Sequence, residues 1–497
     1  MMAAQKTQDG MNLTLLLADL ADANVPARAV SGLALDSRRV QPGDVFLACR
    51  GAQHDGRAFI PAAIKAGAIA VVVEDALPTL LQQAHLAVPV VVVPGLAQQL
   101  SLIAARFYGH PDRALELIGI TGTNGKTSVS HYIAQALTEH QHGCGLFGTL
   151  GYGVYGRLQP ALTTTPDPVT LQAMLADLAA SGQRYAALEV SSHALVQGRV
   201  NAVQFNTAVL TNISRDHLDY HADMADYAAA KRRLFVQPDL QHAVLNVDDD
   251  YGRAWAAELR GRVKVITYAL QADADIRGEL LAESRAGMTL RLHTPWGNSD
   301  LKVPLAGRFN ISNVLATTAA LGLHGLAFTD ICTSLEQLRA PTGRMQRFGH
   351  ANSPLVVVDY AHTPDALVQT LQALKSQCHG RLWCVFGCGG DRDKGKRPLM
   401  GAAAGAYADK IILTSDNPRH EAPEQIIADI LCGIEVQQNT SQILDRKSAI
   451  QQAIDAATTD DIVLIAGKGH EQYQEIAGQR LPFSDQDVVQ TCLQTTS

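Results

Sequence analysis

The sequence lacks several features that mark particular classes of protein. Charged residues make up 18% of its 497 residues and the formal net charge is −7, so it has no basic surplus of the kind that nucleic-acid-binding proteins carry. No apolar run approaches the ~18 residues that a membrane span requires. The apolar stretch Leu13 to Leu17 is followed by Asp19 and has no cleavage site, so we predict no signal peptide. These absences predict a cytoplasmic protein that binds neither nucleic acid nor a membrane.

Cysteine is sparse as well. The eight cysteines are scattered, without a Cys-x-x-Cys pair, so neither a disulfide framework nor a structural zinc site is indicated. Cys384 and Cys388 flank a predicted strand and turn, and we interpret them as reduced, partly buried thiols. A hydrophobic content of 47% is ordinary for a globular protein, and the length predicts roughly three domains.

The most informative segment that is present is a glycine-rich turn at residues 121–127. Residues 115–128 read Leu-Glu-Leu-Ile-Gly-Ile-Thr-Gly-Thr-Asn-Gly-Lys-Thr-Ser and lead into a helical pattern from Val129 to Leu137. Strand, turn and helix in this order form a phosphate loop, whose backbone N–H groups and helix N-terminus attract phosphate. Lys126 is expected to reach the outer phosphates, and the hydroxyl of Thr127 is placed to ligate Mg²⁺. The segment therefore predicts ATP binding, although Ile120 replaces the first glycine of a standard Walker A loop; a chance glycine-rich turn is the alternative.

Three regions follow one another along the chain. Residues 1–112 contain short β-like runs between Ala-rich helical stretches, and residues 113–340 alternate buried strands with helices. The more polar, alternating stretch 267–303 predicts a small antiparallel section. Residues 341–497 show Rossmann-like alternation of strands and helices. We therefore predict an α/β protein with an N-terminal α/β domain, a central P-loop domain with a mostly parallel sheet, and a C-terminal Rossmann-like domain.

Polar motifs follow the predicted strands of the central region. Glu189 ends one strand, where a carboxylate can hold Mg²⁺, orient a water or simply form an ion pair. The segment 211–221 is rich in His and Asp, but it lacks cysteine and tetrahedral spacing, so one Mg²⁺ ligand fits better than zinc. Lys231 would, in isolation, be interpreted as a solvated helix lysine. Asn310 and Asn313 share one helical face, where their amides could bind a base or ribose or could cap the helix.

The last region repeats this placement. Residues 357–364, 415–419 and 467–471 each follow a predicted strand. The turn 387–397 carries four basic side chains, which suits phosphate or carboxylate, although a solvated loop would look similar. Because ligands of open α/β sheets bind at the carboxyl ends of strands, these motifs together predict a binding site.

Taken in order, the motifs resemble those of the Mur ligase family of ATP-dependent amide-forming enzymes, and the resemblance spans nearly the whole chain. It rests on Thr-Gly-Thr-Asn-Gly-Lys-Thr (121–127), Glu-Val-Ser-Ser-His (189–193), Asp-His-Leu-Asp (216–219), Asn-x-x-Asn (310–313), Gly-Arg-x-Gln (343–346), Asp-Tyr-Ala-His-x-Pro (359–364) and Gly-Asp-Arg-Asp-x-x-Lys-Arg (390–397). Residues 35–38, 43–44 and 51–57 look like the first domain of members that add the third peptide residue. Asp416-Asn417-Pro418-Arg419 is similar to the motif of members that select meso-2,6-diaminopimelate over lysine. An arginine can pair with the distal carboxylate that lysine lacks.

The resemblance implies a ligase of peptidoglycan synthesis, and hence of cell wall biogenesis, cell shape and cell division. It implies that ATP phosphorylates the D-glutamyl carboxylate of UDP-N-acetylmuramoyl-L-alanyl-D-glutamate, and that the amine of diaminopimelate attacks the acyl phosphate. It also implies a monomer that binds these small molecules and Mg²⁺. The implied domains are 1–112 for the UDP-sugar, 113–340 for ATP and 341–497 for the amino acid.

The resemblance also assigns residues to these roles. The catalytic residues are Lys126, Glu189, His217 and Lys231, and the Mg²⁺ ligands are Thr127, Glu189, His217 and Lys231, the last as a carbamate. The implied ATP site comprises Gly122, Thr123, Asn124, Gly125, Lys126, Thr127, Ser128, Asn310, Arg344 and Asp359. The implied UDP-sugar dipeptide site comprises Leu35, Ser37, Ala52, Gln53, His54, Thr164, Thr165, Ser191, Gln197 and Arg199. The implied diaminopimelate site comprises Arg392, Asp416, Asn417, Pro418, Arg419, Gly467 and Glu471.

Two positions depart from the usual family pattern: Thr163 stands where relatives often have asparagine, and Ser128 where threonine is common. Both replacements keep hydrogen-bonding capacity. Three alternatives stay open at this point: a folylpolyglutamate synthetase-like ligase, a lysine-adding ligase, and a nucleotide switch without ligase activity.

Overall fold

The computed structural model describes residues 11–21, 25–51, 55–75, 86–161, 163–284, 287–350, 353–435 and 439–495. The chain separates into two compact units. Unit 1 comprises residues 1–121, 141–208 and 230–241, and unit 2 comprises residues 122–140, 209–229 and 242–497. The predicted domain boundary near residue 112 falls within unit 1 and the one near residue 340 within unit 2, so the three predicted ranges stay a prediction.

The helices and strands follow the predicted alternation. The helices are α1 (Leu13–Leu16), α2 (Ile60–Lys65), α3 (Leu96–Phe107), α4 (Lys126–Glu139), α5 (Pro168–Ala180), α6 (Ser192–Val196), α7 (Met224–Arg232), α8 (Asp250–Leu259), α9 (Phe309–Leu323), α10 (Phe328–Glu336), α11 (Pro364–Lys375), α12 (Lys396–Tyr407), α13 (Pro423–Leu431), α14 (Arg446–Ala456) and α15 (Asp485–Thr495). The strands are β1 (Gly32–Ala34), β2 (Asp44–Ala48), β3 (Ala70–Val73), β4 (Val90–Val92), β5 (Glu116–Thr121), β6 (Cys144–Gly148), β7 (Gly151–Val154), β8 (Tyr185–Glu189), β9 (Thr207–Leu210), β10 (His242–Asn246), β11 (Lys264–Ala269), β12 (Ile276–Ser284), β13 (Gly287–Thr294), β14 (Gly297–Val303), β15 (Gln346–Phe348), β16 (Leu355–Asp359), β17 (Leu382–Phe386), β18 (Lys410–Leu413), β19 (Thr440–Gln442), β20 (Ile462–Ala466), β21 (Tyr473–Ile476) and β22 (Gln479–Pro482). Short 3₁₀ helices span Ser37–Arg39, Gly56–Phe59, Pro111–Ala114 and Arg233–Val236.

Unit 1 begins with a parallel four-stranded sheet in the order β1-β2-β3-β4. Both faces of this sheet are covered. Val45 and Leu47 of β2 join a core with α1 and α3, whereas Phe46 and Ala48 join a second core with α2. Burial on both faces explains why the strands are nearly continuous apolar runs, as is usual in parallel sheets.

The rest of unit 1 contains β5, β8, β6 and β7. β8 pairs in parallel with β5 and with β6, and β7 returns antiparallel to β6. Ile120 lies opposite Glu189 in this register. The end of β5, where the phosphate loop begins, therefore lies at the same edge as the end of β8.

Unit 2 contains β10, β11 and β12 as parallel neighbours, followed by the antiparallel strands β12, β13 and β14. This confirms the antiparallel section predicted within residues 267–303. A second sheet has the order β15-β16-β20-β17-β18-β19, with β15 antiparallel and the other strands parallel.

The register of the six-stranded sheet aligns the carboxyl ends of its central strands. Asp359 of β16 lies opposite Ala466 of β20, and Phe386 of β17 lies opposite Leu413 of β18. One apolar cluster packs on each face of the sheet. The polar segments that follow these four strands therefore meet along one edge, as the sequence predicts.

All eight cysteines lie in the described residues, and each is a free thiol. Cys384 and Cys388 are fully or almost fully buried, and burial raises the pKa of both thiols. Across the described ranges, we find no helix that is both long and apolar enough to cross a membrane.

Candidate active site

The phosphate loop lies between Thr121, the last residue of β5, and Lys126, the first residue of α4. Gly122 and Gly125 have φ values of +145° and +86°, a region that favours glycine. A Cβ atom on Gly122 would overlap the Thr211 hydroxyl, so the loop also needs glycine there for space. The strand, loop and helix predicted from the sequence are thus present.

Polar groups after β9 hold the tip of this loop. Thr211 Oγ1 donates to Asn124 O at 2.5 Å, and Asn124 N donates to Asn212 Oδ1 at 3.0 Å. Thr123 Oγ1 donates to Ser214 O at 3.1 Å. Hydrogen bonds with residues 211–214 therefore fix the backbone conformation of the loop.

Lys126 folds over the loop that precedes it. Its Nζ donates to Gly122 O at 2.8 Å and to Thr123 O at 2.9 Å. The ammonium group is thus held at the mouth of the loop, where the phosphates of a nucleotide would meet it.

Arg344 lies against the first turn of α4. Its Nη2 donates to Thr127 Oγ1 at 3.1 Å, and its guanidinium lies 4.6 Å from the ring centre of Tyr360. Asp359 Oδ2 accepts from Met345 N at 2.7 Å and so anchors the backbone beside Arg344. Burial raises the pKa of Asp359, and the nearby charge of Arg344 opposes that rise.

A cavity of about 710 Å³ adjoins the phosphate loop within unit 2. This volume is in the range of small-molecule sites. Six of the predicted ATP-binding residues line it: Asn124, Gly125, Ser128, Asn310, Arg344 and Asp359. The other four, Gly122, Thr123, Lys126 and Thr127, belong to the adjoining loop and helix but not to the cavity wall.

The two asparagines of α9 bond first to the protein. Asn310 Nδ2 donates to Ala306 O at 2.7 Å, and Asn313 Nδ2 donates to Asn310 Oδ1 at 3.0 Å. Both side chains are buried, with 2% and 7% of their surface exposed. These hydrogen bonds favour a structural role over base recognition, although both residues line the cavity.

His217 and Asp216 belong to a charged cluster in unit 2. Asp216 is buried, and Lys396 Nζ and His362 Nε2 each lie 3.6 Å from its carboxylate. Burial alone would raise the pKa of Asp216, but the hydrogen bond from His362 and the charges of His217 and Lys396 hold that pKa well below its ordinary value. His217 has φ +56°, so a left-handed backbone places its imidazole.

The four basic side chains of the turn 387–397 do not form one anion site. Lys396 faces Asp216, and Lys394 and the fully buried Arg397 pair with Glu421. Arg392, the member predicted to bind the amino acid, donates to Asp391 O at 3.2 Å. The interpretation of this cluster as an anion-binding group is therefore wrong for the three residues that pair with the chain's own carboxylates.

Glu189 ends β8 in unit 1 and is fully buried. Its Oε1 accepts from Thr149 N at 2.9 Å, and its Oε2 accepts from Thr149 Oγ1 at 3.1 Å. A Cβ atom on Gly148 would overlap this carboxylate, so glycine gives it room. The carboxylate is thus rigidly placed.

Lys231 lies near the end of α7, and only 1% of it is exposed. Its interpretation as a solvated lysine is therefore wrong. The helix is rich in alanine and shows no amphipathic pattern that would have revealed the burial. A buried amine must be paired, neutral or modified, because an isolated buried charge is very costly.

The residues predicted to meet the substrate's peptide form one hydrogen-bonded network in unit 1. Thr165 Oγ1 donates to Glu189 O at 2.7 Å and accepts from Ser191 N at 3.1 Å. Arg199 Nη1 donates to Thr165 O at 2.7 Å, and its Nη2 donates to Gln197 Oε1 at 2.6 Å. Thr164 is connected to this network through Thr149, whose hydroxyl oxygen lies 3.2 Å from the hydroxyl oxygen of Thr164. The structure brings all five residues together.

The residues predicted to bind the UDP-sugar are only partly described. Leu35 lines a cavity of about 730 Å³ in unit 1, together with Asp36, Arg39 and Tyr108. Ser37 begins a 3₁₀ helix that Asp36 caps through a bond to Arg38 N. The other predicted residues, Ala52, Gln53 and His54, lie outside the described residues.

The predicted amino-acid site lies at the edge of the six-stranded sheet. Asn417 Nδ2 donates to Glu471 Oε2 at 2.8 Å. Gly467 has φ +111°, and a Cβ atom there would lie 2.6 Å from Asp416 Oδ2. Pro418 leads into Arg419, whose Nη1 donates to Gly390 O at 2.6 Å.

Sequence reasoning missed Lys468, which ties this site together. The side chain is fully buried, and its Nζ donates to Asn417 Oδ1 at 3.0 Å and to Glu471 Oε2 at 2.7 Å. Residues three apart can meet in one turn of chain, so the Lys468–Glu471 spacing was the available signal.

No cluster of three or more His, Cys, Asp or Glu side chains that could hold a metal is found within the described ranges. The predicted Mg²⁺ ligands Thr127 and His217 belong to unit 2, and Glu189 and Lys231 belong to unit 1. The chemistry of this set, with hydroxyl and carboxylate oxygens, is compatible with a hard cation.

Comparison with known proteins finds the same family along most of the chain. Residues 29–108 match "Mur ligase family, catalytic domain", residues 120–321 match "Mur ligase middle domain", and residues 343–469 match "Mur ligase, glutamate ligase domain".

Individual relatives match over nearly their full length. The chain is 52% identical over 462 residues to the UDP-N-acetylmuramoyl-L-alanyl-D-glutamate--2,6-diaminopimelate ligase of Pseudomonas syringae pv. tomato, covering 93% of this chain and 94% of the relative. It is also 52% identical over 454 residues to the ligase of that name from Pseudomonas aeruginosa, covering 91% and 93%. A solved structure of a ligase of that name matches with a TM-score of 0.69 at 39% identity, covering 98% of this chain and 99% of the other.

Proposed function

The chain belongs to the Mur ligase family, and on that basis we propose that it joins meso-2,6-diaminopimelate to the D-glutamyl residue of UDP-N-acetylmuramoyl-L-alanyl-D-glutamate at the expense of ATP. The observation that carries this proposal is the 52% identity, over more than nine-tenths of both chains, to ligases named for this reaction. The product is a precursor of peptidoglycan. Because the substrates are ATP and a UDP-linked precursor, we propose that the reaction takes place in the cytoplasm. We also propose that the protein acts as a monomer.

The three family matches support the domain ranges 1–112, 113–340 and 341–497. Each match falls inside one of these ranges. In this division, the first domain binds the UDP-sugar, the central domain binds ATP and the last binds the incoming amino acid.

In the first step, an oxygen of the D-glutamyl carboxylate attacks the γ-phosphorus of ATP. A new O–P bond forms, the bond to the β-phosphate oxygen breaks, and ADP leaves. The bonds of Lys126 to Gly122 O and Thr123 O place its ammonium beside the loop, where it would bind the β- and γ-phosphates. Arg344, held against Thr127, would stabilise the charge on the transferring group.

Mg²⁺ would be held by Thr127, Glu189, His217 and Lys231, and it would neutralise phosphate charge when bound. This set rests on the family resemblance. The burial of Lys231 supports its modification, because CO₂ addition to the neutral amine yields a carbamate and one proton, and so replaces a buried amine with an anionic metal ligand.

The acceptor's dipeptide would bind the unit 1 network of Thr164, Thr165, Ser191, Gln197 and Arg199. Arg199 is oriented by two bonds to Gln197 and one to Thr165. A pre-oriented guanidinium can bind a carboxylate through two parallel hydrogen bonds. We therefore assign to Arg199 a carboxylate of the acceptor peptide.

In the second step, the amine of diaminopimelate attacks the acyl phosphate carbon. A C–N bond forms, a tetrahedral intermediate loses phosphate, and the nitrogen gives up a proton. Glu471 would bind an ammonium group of the amino acid, and Arg419 would bind its distal carboxylate. Lysine has no distal carboxylate to accept the remaining N–H donors of Arg419, so it would lose that charge-assisted contact and bind less well.

Phosphate release tests the proposal. The purified protein is supplied with ATP, Mg²⁺ and UDP-N-acetylmuramoyl-L-alanyl-D-glutamate, and either meso-diaminopimelate or L-lysine is added. We expect release that depends on the nucleotide substrate and on diaminopimelate. Stimulation by lysine instead would keep the ligase and reject the amino-acid assignment. If neither amino acid stimulates release, the proposal is rejected, and a folylpolyglutamate synthetase-like ligase or a nucleotide switch becomes the better interpretation.

A further inference from the structure

A small hairpin outside the main sheets touches the predicted amino-acid site. β21 and β22 form a separate antiparallel two-stranded sheet. Their two-residue turn is Ala477-Gly478, with φ +48° and +77°, as a type I′ turn requires. An isolated hairpin is marginal in water, so what it docks against decides where it lies.

The hairpin holds residues 416–419 at four points, three on their main chain and one on the Asn417 side chain. Gln474 Nε2 donates to Asp416 O at 2.9 Å, and Glu475 N donates to Asn417 Oδ1 at 2.9 Å. Arg419 N donates to Glu475 O at 2.9 Å, and Ala477 N donates to Arg419 O at 2.7 Å. The motif that distinguishes the amino acid is therefore paired, almost like a third strand, to this hairpin.

The Arg419 side chain is anchored on two sides. Its Nη1 donates to Gly390 O at 2.6 Å, and its Nε lies 3.7 Å from Glu475 Oε2. The side chains of Arg419 and Glu475 are 18% and 22% exposed, so this ion pair is partly shielded from water. Across the described residues, Arg419 Nη2 donates no hydrogen bond, so that edge of the guanidinium is open to a ligand.

We propose that Glu475 is a positioning residue for amino-acid specificity: it orients the Arg419 guanidinium so that its remaining N–H groups meet the distal carboxylate of a diamino dicarboxylic acid. This inference rests on the proposed function. Glu475 also partly compensates the arginine's charge before the substrate arrives, which lets the cation stay partly buried without a ligand. Without Glu475 the guanidinium keeps only its hydrogen bond to Gly390 O, and its orientation toward the distal carboxylate is no longer fixed.

The test is steady-state kinetics of Glu475→Gln, which keeps the shape of the side chain and removes its charge. We expect KM for meso-diaminopimelate to rise about tenfold, an order-of-magnitude effect for a misaligned charge-assisted contact. KM for ATP and for the UDP-linked substrate should stay unchanged. Glu475→Asp, which keeps the charge, should recover part of the loss.

Arg480→Gln is the matched control. Arg480 lies on the same hairpin, but its guanidinium stacks 4.5 Å from the ring centre of Tyr473 rather than beside Arg419. Its removal should leave every KM within about twofold of the wild type. An equal rise in both variants would indicate a general loss of the hairpin and would overturn the specific role of Glu475.

A double-mutant cycle separates positioning from a merely structural role. If Glu475 acts through Arg419, then Glu475→Gln should have no further effect on KM for diaminopimelate in an Arg419→Ala background. Additive effects would overturn the inference, as would a wild-type KM in the single variant Glu475→Gln. If the wild-type protein itself does not respond to diaminopimelate, the proposed function fails and this inference fails with it; a responsive wild type with an unaffected variant rejects the inference alone.

Discussion

The phosphate loop and the amino-acid site lie in the same unit but are built in opposite ways. The loop consists of the consecutive residues 122–125, whose shape depends on glycine conformations and on bonds from one neighbouring segment, 211–214. The amino-acid site is assembled from segments 387–397, 416–419 and 467–477. Its geometry depends on ion pairs and hydrogen bonds between groups up to tens of residues apart in the sequence.

The two regions also treat charge differently. At the loop, the Lys126 ammonium is bonded to backbone carbonyl oxygens. At the amino-acid site, the fully buried Lys468 is bonded to the carboxylate of Glu471, and the fully buried Arg446 is paired with Asp485 behind it. A lysine bonded to carbonyl oxygens can exchange those bonds for bonds to a phosphate. A lysine or arginine in a buried ion pair instead stabilises the fold as part of its framework. The comparison teaches that similar basic residues serve as ligands in one region and as scaffolding in the other.

The largest expected effect is on catalysis, from Lys126→Ala. Removing a ligand cation for the transferring phosphate should lower the rate of phosphate release by about a thousandfold or more, because catalysis of this transfer is mostly electrostatic. The rate is measured at saturating substrates, and circular dichroism checks the fold. Lys375→Ala is the control, since Lys375 pairs with Asp409 at the surface and its loss should leave the rate unchanged. A similar decline in both variants would contradict the ligand role.

The second prediction addresses the scaffold. Lys468→Met removes the fully buried cation of a pair whose Glu471 side chain is only 18% exposed, and it leaves that carboxylate without its ion-pair partner, so the free energy of unfolding should fall by at most about 3–5 kcal/mol. Denaturant unfolding measures it. Lys375→Met removes the same charge from an exposed pair and should cost less than about 1 kcal/mol. Equal losses in the two variants would show that Lys468 is not framework.

The same contrast explains what the sequence could predict. The phosphate loop was predictable because its constraints are local: glycines at Gly122 and Gly125, then Lys126 and Thr127, follow an apolar strand in a recognisable order. The strands and their polar ends were predictable for the same reason, because burial on both faces produces continuous apolar runs.

The amino-acid site was predictable only as a set of residues. Nothing in the sequence indicates that Lys394, Lys396 and Arg397 pair with acids from other segments, since those partners meet only in the folded chain. The burial of Lys231 was hidden for a similar reason. The β21–β22 hairpin was missed although Ala477-Gly478 is a turn signal, because its short strands carry mostly polar residues.

A third prediction tests the local character of the loop. Gly122→Ala should destabilise the protein by about 1–3 kcal/mol and weaken ATP binding, because the new Cβ both disfavours φ +145° and overlaps the Thr211 hydroxyl. Unfolding and nucleotide titration are the measurements. Gly261→Ala is the control: Gly261 has φ +83° with open space around its Cβ position, so only the conformational cost of about 1 kcal/mol should appear. Unchanged ATP affinity in Gly122→Ala would show that the loop adapts.

The smallest expected effect is a pH dependence of the scaffold. The hydrogen bond from Arg397 lowers the pKa of Glu421 to about 2 from an ordinary value of 4.5. A carboxyl group with a lowered pKa in the folded state stabilises the protein above its unfolded pKa, and this contribution declines as the pH falls from about 4.5 toward 2. Glu421→Gln should therefore reduce stability at pH 7 and flatten its decline over that acidic window, as measured by denaturant unfolding at a series of pH values. A decline as steep in Glu421→Gln as in the wild type would show that the pair of Glu421 with the framework cation Arg397 does not contribute to it.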